Sequence, residues 1–144
     1  MLGEQIRPLL ESVWLAPLQE IEDPIRDTPR LLDTLDERIP PAVREYGCPL
    51  NNLSQEMATQ DEGFRQRITL IFAHWIDSFE AMLERGKHSG HLRDDVDSHA
   101  VARFLIATLE GCIGVFKVDH SMAQWAACRT EIAAYLSTVK PDHG

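Results

Sequence analysis

Residues 61–86 read DEGFRQRITLIFAHWIDSFEAMLERG. At about 100° per residue, Phe64, Ile68, Ile71, Phe72, Trp75, Ile76, Phe79, Met82 and Leu83 fall in an arc of roughly 140°. This is the apolar stripe of one long amphipathic helix, and no period-two alternation competes with it. Thr59 and Asp61 both offer an N-cap, and Lys87-His88-Ser89-Gly90-His91 supplies the stop. A helix of this length needs several others to cover its stripe.

The rest of the chain offers only helices. Ile6, Leu9, Leu10, Val13, Trp14, Leu18 and Ile21 recur at helical spacing. Pro8 is tolerable near the first turn, whereas Pro17 predicts a kink or a stop. Thr28-Pro29 is a start signal, an N-cap with proline at the first helical position. Pro40-Pro41 predicts an interruption. Tyr46-Gly47-Cys48-Pro49 is turn chemistry, with a short helix expected from about Leu50 to Ala58. Asp94 to Ser98 opens the next long helix. From Val101 to Phe116 the apolar positions cover roughly 200°, wider than one packed face needs. Ser121 and Gln124 form a capping box. The helix after them carries Met122, Trp125, Ala126, Cys128, Ile132, Ala133, Tyr135, Leu136 and Val139, also about half its circumference. Two adjacent helices with so wide an apolar surface predict a second copy of the chain as partner. The expectation is one all-α domain over 1–144, of about six helices. Its last pair, Asp97–Val118 and Ser121–Val139, would form a four-helix-bundle homodimer.

Composition narrows the function. The chain has 144 residues, 44% hydrophobic and 26% charged, with a net charge of −9. That balance argues against a nucleic-acid surface and against docking on anionic lipid. Cys48, Cys112 and Cys128 make no zinc or redox motif, and an odd count is a poor disulfide framework, so a reducing cytoplasm is expected. Residues 1–12 have no signal-peptide core, and no apolar run is long enough to cross a membrane. No nucleophile elbow, phosphate-binding glycine loop or dinucleotide fingerprint is present. Neither an enzyme activity nor a cofactor is expected.

The run Gly47-Cys48-Pro49-Leu50-Asn51-Asn52-Leu53, then Glu56, then the Phe72/Trp75 helix, resembles the C-terminal ligand-binding and dimerisation region of TetR-type transcriptional repressors. Gly90-His91-Leu92, Asp94-Asp95-Val96-Asp97 and the helix ending Leu109-Glu110-Gly111 extend the resemblance over essentially the whole chain. The family usually has glycine where Asn51 stands, and asparagine is the next-best residue at a left-handed position. Family members begin with roughly 45–50 residues holding a helix-turn-helix. The resemblance places Met1 beyond that segment, so DNA would be reached only through a domain absent from this chain. It further implies a small-molecule effector pocket within the bundle and a homodimer. A second reading is a stand-alone helical interaction module that forms mixed dimers with full-length relatives.

Candidate residues follow. Leu10, Trp14, Phe72, Trp75, Phe79 and Phe104 would line a pocket for a hydrophobic or aromatic ligand. Tyr46, Cys48, Asn52, Thr108 and Cys112 would add polar or thiol contacts, and His74 sits about 60° off the apolar arc. Cys48 would be a redox sensor only with a lowered pKa. Leu105, Leu109, Gly111, Phe116, Met122, Trp125, Ala126, Arg129, Ile132 and Ala133 would form the dimer interface. Gly111 and Gly114 each cost about 1 kcal/mol inside a helix, so a close neighbour or a ligand is expected there. Arg129 would pair with an acid, Glu110 across the dimer being one choice, or carry its charge to the rim. His88, His91, Asp94, Asp95, Asp97 and His99 have metal-ligand chemistry but read as solvated turn residues, and no metal is expected.

Overall fold

The computed structural model describes residues 2–142, with side chains from Glu4 onward, so both ends of the expected 1–144 domain lie outside the described residues. No strand occurs among the described residues, and the fold is all-α. The rod begins as α1 (Leu2–Leu10), widens into a π-helical turn (Glu11–Leu15) and continues as α2 (Ala16–Gln19). Then come α3 (Pro24–Asp33), α4 (Leu35–Arg38), α5 (Pro41–Tyr46), α6 (Pro49–Met57), α7 (Glu62–His88), α8 (Ser98–Asp119) and α9 (Met122–Ser137). The division is finer than six helices because prolines and short turns cut the first half into pieces.

α7 is the spine. The Asp61 carboxylate accepts from the Phe64 amide at 2.9 Å and so supplies one of the contacts that helix N-termini lack. Ile68, Ile71, Trp75, Ile76, Phe79, Met82 and Leu83 are all buried, on the arc read from the sequence. α8 runs along α7 in the most extensive pairing of the fold, capped by the Asp97 carboxylate on the Ala100 amide. The chain turns at His120, in the left-handed region at φ 50°, and Ser121 caps α9.

At Pro17 the chain does not stop at once but runs on in helix to Gln19. Pro17 has no N–H to offer the Val13 carbonyl, and the rod accommodates this by the wide π turn just before it. The freed Val13 oxygen accepts instead from the Arg38 guanidinium on α4, which also donates to the Leu31 carbonyl at 2.8 Å. One arginine thus ties α4 to the rod.

Two other expectations change. α3 starts at Asp23-Pro24, not at Thr28-Pro29. Asp23 carries the same signal five residues earlier, and its carboxylate accepts from the Ile25 and Arg26 amides. Thr28 lies inside the helix, buried, with its hydroxyl directed at the Met82 sulfur at 3.7 Å. Nor is Asn51 left-handed: it lies within α6. The left-handed residue of that turn is Gly47, at φ 82°, and the Asn52 side-chain amide donates to the Tyr46 carbonyl across it at 2.6 Å.

α9 is held between α3 and α8. Its Trp125, Ile132 and Leu136 are buried inside the chain. The width of its apolar surface therefore has a cause within one copy. α8 is different, since Phe104, Val115 and Val118 stay exposed.

Gly86 is where α7 meets α3. A Cβ there would lie 2.5 and 2.6 Å from ring carbons of Pro24 and 2.8 Å from Leu92. Gly86→Ala should lower the unfolding free energy by roughly 1–3 kcal/mol in a urea titration, as overpacking does. Gly63→Ala, at an exposed first turn, should be neutral or stabilising. Equal behaviour of the two variants would contradict the close packing.

Candidate functional site

A slot of about 40 Å³ lies between the rod, α4 to α6, α7 and α8. Trp14, Leu35, Leu50, Trp75 and Glu110 are its buried lining, and the half-buried Leu9, Ile39, Val43, Cys48, Pro49 and Ile113 line it toward the surface. The π turn brings Val13 and Trp14 to it. The Trp14 ring packs against Trp75 at a centroid distance of 5.6 Å and against Phe79 at 6.0 Å. Aromatic contacts at these distances fix the rings and keep the wall rigid.

Glu110 is the anomaly in this lining. It occupies the inward row of α8 with Ile106 and Ile113, where a helix facing a core is expected to be apolar. It is only 6% exposed. Neither carboxyl oxygen has a hydrogen-bond partner, and the Trp75 indole Nε1 has none either. Burial disfavours the charged form and pushes the Glu110 pKa up to about 7, with the Cys48 thiol beside it pulling weakly the other way. Burial and the neighbouring carboxyl push Cys48 up to about 12. That is the reverse of what a thiolate sensor needs.

On its other side Glu110 borders a much wider groove, of about 900 Å³, between α6, α7 and α8. Phe72 and Phe104 line this groove, with Arg65 and Arg103 also on its walls. Phe72 stacks on Trp75 at 6.2 Å, so one aromatic layer separates groove from slot.

The residues expected in one pocket are thus distributed. Leu10, Trp14, Cys48 and Trp75 line the slot, and Phe72 and Phe104 line the groove. Phe79 backs the Trp14 ring without reaching the slot. Tyr46 is on the surface, Asn52 is engaged in its turn, and Thr108 and Cys112 lie outside both linings. Burial and the neighbouring Cys128 thiol push Cys112 up to about 12. His74 is exposed, on a separate cleft with Arg7 and Leu70. Arg129 pairs with Asp33 of the same chain at 3.3 Å, not with Glu110, which is buried between slot and groove.

The histidine and aspartate run from 88 to 99 is dispersed. His91 faces Asp23 at 3.5 Å, Asp97 caps α8, and His99 meets Glu80 at 2.8 Å. Asp77, Glu80 and His99 could converge on an ion, but on the surface and with the histidine and Glu80 already paired. No helix among the described residues is long and apolar enough to cross a membrane. The residue the sequence reading missed is Glu110 as a pocket group. Its signal was a lone acid in the row Leu105, Ile106, Leu109, Ile113.

The raised pKa makes stability depend on pH. The folded chain keeps a proton on Glu110 that the unfolded chain, at 4.5, has released. Stability therefore falls as pH rises from about 4.5 to about 7, by an amount of order 3 kcal/mol for this one group. Glu110→Leu should flatten that slope and exceed the wild type in Tm at pH 8. Parallel Tm–pH profiles of the two proteins would contradict an unpartnered carboxyl.

Comparison with known proteins agrees with this architecture. A family described as the tetracyclin repressor-like, C-terminal domain matches residues 29–132. The chain is 25% identical over 120 residues to the HTH-type transcriptional repressor DhaR of Mycobacterium sp. (strain GP1), covering 83% of this chain and 55% of that protein. It therefore spans about half the length of that curated relative. Two solved structures share the fold. A TetR-family transcriptional regulator from Cytophaga hutchinsonii superposes with a TM-score of 0.78 at 15% identity, over 97% of this chain and 70% of that one. A TetR transcriptional regulator from Chloroflexus aurantiacus gives 0.76 at 20% identity, over 98% and 70%. With most of its length matched to that domain, the chain belongs to the TetR family of transcriptional regulators, in the C-terminal part of their architecture.

Proposed function

We propose that this chain is the effector-sensing and dimerisation domain of a TetR-type regulator, a repressor by its likeness to DhaR. The observation that carries the sensing half is the slot: aromatic walls, an apolar approach and one unpartnered carboxyl at its inner end. Such a site suits a small hydrophobic or aromatic ligand held in orientation by few polar groups. The rod from α1 through α2 forms one wall. A ligand that favours one position of that wall would shift the population of bundle arrangements. In the complete regulator, that shift would carry two helix-turn-helix heads in or out of register with their half-sites.

The dimerisation half rests on α8 and α9. Phe104, Thr108, Gly111, Val115 and Val118 follow alternating steps of four and three, the spacing of a coiled-coil seam. Phe104 is 50% and Val118 82% exposed. Ala123, Ala127, Thr130 and Ala134 repeat the spacing on α9, all exposed. Nothing lies within 4 Å of a Cβ built on Gly111 or Gly114, so packing within the chain does not require either glycine. A helix from a second copy, approaching closely, would. This seam differs by one residue in phase from the one expected from sequence. Leu105, Leu109, Trp125 and Ile132 are buried within the chain, while Gly111 and Met122 remain on the open side.

Sedimentation equilibrium tests the seam. The wild type should be a dimer at micromolar concentration. Val115→Glu and Val118→Glu should weaken association at least tenfold, about 1.4 kcal/mol or more, with unchanged far-UV circular dichroism. A monomeric wild type, or charged variants that dimerise equally well, would contradict it.

A further inference from the structure

The slot holds two unsatisfied polar groups of opposite sense. Above about pH 7, where Glu110 is ionised, its oxygens only accept and have beside them no donor but the weak Cys48 thiol, while the Trp75 indole N–H donates and has no acceptor. Both residues line the same small space, where a missing partner is costly. No lysine, arginine or histidine is in that lining. Arg65 on α7 and Arg103 on α8 line the wider groove and leave both carboxyl oxygens unpaired.

These facts discriminate among ligand end groups. To the ionised Glu110, above about pH 7, a carboxylate would bring a like charge. A protonated amine would satisfy Glu110 but offers nothing to the indole N–H, and its own desolvation offsets much of the ion pair. A hydroxyl has one donor and two lone pairs, the smallest group that answers both. Resting on the reading of the slot as the effector site, we infer that its ligand is an alcohol: an apolar body whose terminal hydroxyl donates to Glu110 and accepts from the Trp75 indole. The slot takes the hydroxyl end, and the body extends outward past the half-buried Leu9, Ile39 and Ile113. The slot, at about 40 Å³, exceeds the roughly 10–15 Å³ that one water needs, so a hydroxyl end has room there.

The test uses matched probes on the intact chain. 1-Hexanol, 1-methoxypentane and hexanoate are similar in length, but the ether accepts without donating and hexanoate is charged. Binding is followed by the indole N–H resonances of ¹⁵N-labelled protein, with Trp75→Phe used to assign the Trp75 signal. At pH 8, where Glu110 is ionised, hexanol should bind roughly tenfold or more tightly than the ether and than hexanoate, as loss of one hydrogen bond to a charged group implies, and should move the Trp75 resonance downfield. In Glu110→Leu the alcohol-to-ether ratio should fall to near one. Glu110→Gln keeps an acceptor oxygen, so it should retain part of the preference. Should the ether match hexanol in the wild type, or Glu110→Leu keep the preference, the hydroxyl assignment fails while the slot stands as a ligand site. If no probe perturbs Trp14 or Trp75, the slot reading fails with it.

Discussion

The packing of α7 along α8 is the contact on which the rest of this fold depends. α7 brings an unbroken apolar arc of seven buried side chains, and α8 meets it with Leu105, Ile106 and Leu109. Of the elements N-terminal to α7, the rod and α6 cover faces of α7 that α8 leaves open, α5 packs on α8, and α3 packs mainly on α9. Prolines make that cover segmental, so it is built from a rod and several short helices instead of one long helix. The Arg38 contact to the Val13 carbonyl shows how the pieces are joined where a proline has removed a backbone donor. A cover made of short, tied pieces encloses a slot more readily than two straight helices would.

On the proposed sensing role, Glu110 stands at the point where stability and ligand binding conflict. An apolar residue there would complete the α7–α8 core. The carboxyl costs stability above neutral pH, and its position places that cost at the inner end of a slot walled by two tryptophans. A group that destabilises the empty domain and is satisfied by a bound one couples occupancy to the structure of the bundle. On that reading the rod is placed to respond, since Trp14 sits in its π turn and packs tilted against Trp75.

The all-α architecture, the span of α7 with Asp61 as one of two candidate caps, the opening of α8 within Asp94–Ser98, the Ser121 cap and the break at Pro40-Pro41 were legible in the sequence, because periodicity and capping are local signals. Local signals failed where two of them competed or where phase mattered. Asp23-Pro24 and Thr28-Pro29 spell the same start, and only tertiary burial of Thr28 decides between them. Phe104 and Leu105 differ by about 100° on α8, so assigning one to a pocket and the other to an interface needs the neighbouring helix. The breadth of the apolar surface on α9 suggested a second copy, yet α3 covers much of it, a contact from far along the chain. Glu110 was seen as a charge partner for Arg129 because a wheel shows sign and direction but not depth.

Native mass spectrometry of the freshly purified chain tests the sensor account most directly, because it reads subunit number and retained small molecules together. The account predicts a dimer, with any ligand carried from the cell appearing as a discrete added mass on each copy and absent from Glu110→Leu. A bare monomer at micromolar concentration, unchanged by that substitution, would contradict it.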